Sequence, residues 1–144
     1  MHVRYIAWLQ TVPESPKLKK AERGAMLQPQ SRIEAMGERA DELEYPPCDA
    51  PHVIRYLFDV GPITFSGMGA VPLSHTEIDA WQRNTGIELS AWEAGMLRDL
   101  SKVYIGMSED AKHPSCPPPW TPVPVEERVR QVDVAKRVKD ALRG

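Results

Sequence analysis

Cysteine is nearly absent from this chain: Cys48 and Cys116 are two among 144 residues, too few for a disulfide framework. A reducing compartment with both thiols free is the expectation. No apolar run approaches the roughly 18 residues of a membrane span. Residues 1–9 hold a short apolar stretch without a small-residue cleavage site, so no signal peptide is expected. Aromatics are only 7% and mean hydropathy is −0.42, which predicts a packed core over only part of the chain. Charge of one sign is lacking as well. The 18 Lys and Arg face 20 Asp and Glu, a net −2, without the basic excess that grips nucleic-acid phosphates.

Proline is what the chain has in plenty, with 14 residues against an average share of about 5%. Pro114, Pro117, Pro118, Pro119, Pro122 and Pro124 crowd into residues 114–124, a stretch poor in backbone donors that should be extended. A second break runs Glu44-Tyr45-Pro46-Pro47-Cys48-Asp49-Ala50-Pro51. The expected division is a polar, partly helical N-terminal arm (1–47), a compact helical domain (48–113), a proline-rich linker (114–124) and an amphipathic C-terminal helix (125–144). Charge follows it: residues 48–113 carry 5 basic and 9 acidic side chains, and residues 114–144 carry 6 and 4.

Within 48–113 the expected fold class is all-α. Val53, Ile54, Leu57 and Phe58 share a face of a short helix after Pro51, which Gly61-Pro62 stops. The glycine-broken stretch 63–72 suits a partly buried loop. Ser74-His75-Thr76-Glu77 and Ser90-Ala91-Trp92-Glu93 both have capping-box spacing, and Gly86 suits a C-terminal cap. The two helices make a hairpin. The first should bury Ile78 and Trp81. The second carries an amphipathic stripe of Trp92, Met96, Leu100, Val103, Tyr104 and Met107, of which Trp92 and Leu100 should be core, a reading preferred for Trp81 and Trp92 over partner contacts. Residues 17–28 and 31–43 have helix-forming composition but narrow apolar faces, and such segments are marginal alone. Val125, Val129, Val132, Ala135, Val138 and Leu142 form one stripe that needs a partner surface.

No catalytic constellation is found. Cys48-x3-His52 and His113-x2-Cys116 are zinc-ligand residue types at usual spacing within each pair, but the pairs lie far apart in sequence, and loop residues are the preferred reading. Neither metal nor cofactor is expected. Gly67-Met68-Gly69 lacks the third glycine and the lysine of a phosphate loop. Arg98 and Lys102 on the second hairpin helix could face DNA, yet Glu93 and Asp99 share that helix and the domain is acidic.

One resemblance runs along the middle of the chain. Its pattern is Val53-Ile54-Arg55-Tyr56-Leu57-Phe58, then Phe65-Ser66-Gly67-Met68-Gly69, then Val71-Pro72-Leu73-Ser74-His75-Thr76-Glu77-Ile78-Asp79-Ala80-Trp81. Thr85-Gly86-Ile87-Glu88-Leu89 follows, then Ala91-Trp92-Glu93 and Met96-Leu97-Arg98-Asp99-Leu100. Residues 53–107 resemble the tail assembly chaperones of long-tailed phages. The first helix departs from the family by carrying Tyr56 and Phe58 where tryptophan is more usual, and neither residues 1–47 nor those beyond 113 belong to the pattern. The resemblance implies a non-enzymatic protein of the host cytoplasm that binds the tape-measure protein, and tail-tube subunits, during tail assembly, with no nucleic-acid or membrane partner. Candidate partner-binding residues are Val125, Val129, Val132, Val138 and Leu142 on the tail stripe and Phe65 and Met68 in the loop. The alternative is a small phage-encoded regulator binding a host protein or DNA through the helical hairpin.

Overall fold

A computed structural model describes residues 1–14, 29–67, 69–124, 127, 134 and 136–142. Its elements in chain order are α1 (His2–Gln10), α2 (Arg32–Met36) continuing as a 3-10 segment (Gly37–Glu42), and α3 (Pro51–Val60). Two short strands follow, β1 (Thr64–Ser66) and β2 (Gly69–Val71), then α4 (His75–Thr85) and α5 (Ala91–Ala111).

The local signals explain most boundaries. Pro51 opens α3 at a position where a missing N–H costs nothing. Ser74 and Glu77 form a reciprocal capping box on α4, and Ser90 and Glu93 do the same for α5, each answering amide groups that the first turn leaves free. Gly86, at φ 70°, supplies the left-handed residue that ends α4. Gln82 Oε1 accepts from the Leu89 amide at 2.6 Å, fixing the turn into α5.

The all-α expectation is corrected by β1 and β2. They pair antiparallel, with Thr64 opposite Val71, Phe65 opposite Ala70 and Ser66 opposite Gly69. An isolated two-stranded ribbon is marginal in water, so its base must be held. Ser101, fully buried on α5, donates to the Pro62 carbonyl at 2.7 Å and accepts from the Leu73 amide at 3.0 Å. Thr64 donates to the Glu77 carboxylate, and Arg98 Nε donates to the Leu73 carbonyl at 3.3 Å. The glycine-broken stretch is thus a hairpin clamped at its root by α4 and α5.

The main core joins Val3, Val53, Leu57, Leu73, Ile78 and Leu97. A smaller cluster joins Ala7, Met107 and Ala111. Both contain residues of α1, so part of the stretch expected as a polar arm lies inside the core. Val3, Tyr5, Ala7 and Leu9 are all buried. In a helix those positions point two ways, Val3 and Ala7 to one side and Tyr5 and Leu9 to the other, so α1 is covered on both. One side meets α5. On the other, Tyr5 meets Tyr45 and Trp120 edge-on at 5.8 and 5.5 Å.

The prolines lie close to this assembly. Trp8 Nε1 donates to the Cys116 carbonyl at 2.9 Å, so residues 116–120 run along α1. Arg32 closes the C-terminal end of α1: its guanidinium donates to the carbonyls of Trp8 (3.2 Å) and Thr11 (3.4 Å) and stacks over the Trp8 ring. A cation there also suits the helix dipole.

The buried face of α5 differs from the expected stripe. Leu97, Ser101, Met107 and Ala111 are buried, while Trp92 is 60% exposed and Val103 40%. Trp92 is therefore not a core residue. Leu100 is half-buried against the core, and Ile78 and Trp81 are buried as expected. Trp81 Nε1 donates to Asp59 at 2.8 Å, satisfying its polar edge.

Candidate protein-binding surfaces

The hairpin presents one aromatic to solvent. Phe65, in the middle of β1, is 77% exposed, although Thr64 beside it is tied to α4. Hydrogen bonding from Thr64, then from the Ser74 backbone, holds the Glu77 carboxyl below the usual carboxylate range. The root of the ribbon is therefore charged and fixed, and its face is apolar and open. Met68 lies outside the described residues.

On the tail stripe, Val138 and Leu142 are described, whereas Val125, Val129 and Val132 fall outside the described residues. Residues 136–141 are helical and the Leu142 amide donates to the Val138 carbonyl at 3.0 Å. Val134 and Val138 are each 53% exposed and Leu142 is 83% exposed.

A third surface lies at Trp92, for which the sequence favours core over a partner contact and which the structure exposes. Trp92 borders a groove of about 350 Å³ between α1, α3 and the first half of α5, whose walls include Ile54, Met96 and Leu100. A second hollow, of about 390 Å³, lies between Ile6, Tyr45 and Phe58, and His2 borders both. The sequence signal was Trp92 in the first turn of a capped helix, where fewer neighbours from the helix itself can cover a side chain.

Among the described residues the polar side chains pair locally. His52 Nε2 lies 3.5 Å from Glu93, but both side chains reach solvent and the carboxylate is already occupied by its cap. His75 Nε2 meets Arg98 at 2.9 Å, and His113 Nδ1 meets the Ser115 hydroxyl at 2.8 Å. Among the described residues no group of three or more His, Cys, Asp or Glu side chains is placed to hold a metal ion, so Cys48, His52, His113 and Cys116 are not gathered. Among the described residues no buried side-chain nitrogen or oxygen lacks a partner, and no helix is long and apolar enough to cross a membrane. The cations considered for DNA are engaged: Arg98 with Leu73 and His75, and Lys102 with Asp99 at 2.8 Å.

Comparison of the chain with protein-family models, with curated proteins and with solved structures finds no match.

Proposed function

We propose that this protein is a tail assembly chaperone of a long-tailed phage. It works without chemistry, in the cytoplasm of the infected cell, by covering apolar helices of the tape-measure protein and by bringing tail-tube subunits to it. The observation that carries the reading is the exposure of large apolar side chains, Phe65, Val138 and Leu142, beside a core in which, among the described residues, no buried side-chain nitrogen or oxygen lacks a partner. The resemblance of residues 53–107 supplies the identity of the client.

The physical logic is direct. A long tape measure shows apolar helical stripes until a tube encloses it, and such surfaces aggregate when uncovered. A cover that must later leave needs contacts that are individually weak. Exposed side chains on a clamped ribbon and on a separate helical tail meet that requirement.

The test is co-expression with a tape-measure fragment. Val138→Asp combined with Leu142→Asp should abolish co-purification while circular dichroism and the melting curve stay as in the parent, because both side chains are exposed. Undiminished capture by the double variant would remove the tail stripe from the mechanism. Failure of the parent chain to capture or solubilise any tape-measure fragment would overturn the function.

A further inference from the structure

We propose that the protein self-associates by seating the C-terminal residues Val134, Val138 and Leu142 of one copy in the Trp92 groove of a second copy. The groove is lined by Met1, Val3, Ile54, Trp92, Met96 and Leu100, together with Asp49. Among the described residues no Lys or Arg lines it. Trp92 stands on its rim with most of its indole in solvent, the arrangement in which a tryptophan anchors an incoming side chain.

Spacing and charge identify the occupant. Val134, Val138 and Leu142 recur every fourth residue, so they form a ridge that drifts slowly round the helix. Trp92, Met96 and Leu100 follow the same spacing on α5. Each row covers eight residue steps, about 12 Å at the helical rise. At about 100° per residue, Arg137 and Lys139 fall one on each side of the ridge, giving it two cationic shoulders. The receiving body is acidic, with 5 basic and 9 acidic side chains in residues 48–113. Near the groove itself, Asp49 lines it, Glu93 adjoins Trp92, and Asp99 lies between Met96 and Leu100 on α5. Asp99 also holds Lys102, so the attraction is a modest and salt-sensitive one.

Among the described residues nothing covers either surface: Val134, Val138 and Leu142 are exposed and the groove is open. A single three-residue contact is small beside the roughly 1,000 Å² that a lasting interface requires. A reciprocal exchange, each copy giving its tail and receiving the other's, doubles the contact and closes with two-fold symmetry. The client and the second copy then compete for the same ridge. The self-association itself needs no client and stands independently of the proposed function.

The experiment is sedimentation velocity of the full chain over 1 to 200 μM, in low and high salt, with Trp92→Ala and with Val138→Asp plus Leu142→Asp. The expected parent is a concentration-dependent dimer that weakens as salt rises. Each variant should shift the midpoint at least tenfold toward monomer, and neither should change the melting curve by more than a degree or two. An equimolar mixture of the two variants should recover part of the dimer, because one groove and one ridge remain intact in the mixed pair. A parent that stays monomeric at 200 μM overturns the proposal, as does a dimer that Trp92→Ala leaves unchanged. A mixture no more associated than either variant alone overturns it too.

Discussion

Ser101→Ala is the most informative single change in the folded body. The side chain is fully buried on α5 and its hydroxyl serves two backbone groups at once, donating to Pro62 at 2.7 Å and accepting from Leu73 at 3.0 Å. These lie immediately before and after the β-hairpin, so one oxygen joins both legs of the ribbon to the helix. Removing it leaves the Leu73 amide without its partner on a residue that is itself buried. An orphaned buried donor costs about 1 to 3 kcal/mol, and a lost hydrogen bond to a half-covered carbonyl about 1 kcal/mol. Alanine adds no bulk and leaves almost no cavity, so the sum should be about 2 to 4 kcal/mol. For a body of this size that is a fall in Tm of about 8 to 16 °C. Urea or thermal unfolding measures the loss, and amide exchange locates it. The Leu73 amide should be protected in the parent and should exchange far faster in the variant, while Leu97 on the same core stays protected. A loss below about 0.5 kcal/mol, or an unchanged Leu73 amide, would refute the clamp.

The other stability predictions follow from termini and charge. Ser74→Ala removes the cap of α4 and should cost about 1 kcal/mol by urea midpoint; no change would mean that Thr64 and Glu77 alone hold that end. The carboxyls of Glu34, Glu77 and Glu93 are held below the usual range, first by hydrogen bonds from Ser31, Thr64 and Ser90 respectively. Their folded pKa values are depressed, so their stabilisation is complete above the unfolded value of about 4.3 and is lost as pH falls through the lower folded values. The urea midpoint should therefore be level from pH 7 to 5 and drop below about pH 4; a midpoint indifferent down to pH 3 would contradict this. Arg32→Ala should cost about 1.5 kcal/mol through the carbonyls of Trp8, Thr11 and His113, with Arg32→Lys recovering less than half because an ammonium lacks the planar fork. Full recovery by lysine would show that charge alone matters.

The residues that were legible in the sequence are those whose structure is decided locally. Ser74 with Glu77, Ser90 with Glu93, Pro51 and Gly86 each act within one turn, and their elements stand where the spacing put them. Ser31 and Glu34 form the same capping box, ahead of a helix whose apolar face is narrow. What escaped was decided by packing. Burial of Val3, Tyr5, Ala7 and Leu9 fits no one-sided helix and arises because α1 is covered from two directions. The packing of α1 against α5 decides which face of α5 is buried, and no local signal carries that long-range contact. The true inner face of α5 is marked by Ser101 and Ala111, a polar and a small residue that a hydrophobic stripe passes over. Helical spacing alone therefore places Trp92 inward, whereas the fold turns it outward. Strands of three residues are too short for alternation to register, so the hairpin passed for a loop.

Phe65 and Leu142 offer a way to learn how a client would be held. They stand on different elements, a ribbon clamped to α4 and α5 and helical residues beyond the proline-rich stretch. If one client engages both at once, their free energies add, as for separated sites. Phe65→Ser and Leu142→Asp should then each weaken capture of a tape-measure fragment about tenfold, about 1.4 kcal/mol, and the pair about a hundredfold. If the client uses one surface at a time, either single variant leaves the other surface available and loses at most about twofold, while the pair abolishes capture. Simultaneous engagement is the expected result, because two weak contacts carried by one chain gain strength when they act together. Two near-silent single variants with a silent pair would remove both residues from the contact, and two near-silent singles with a null pair would refute simultaneity.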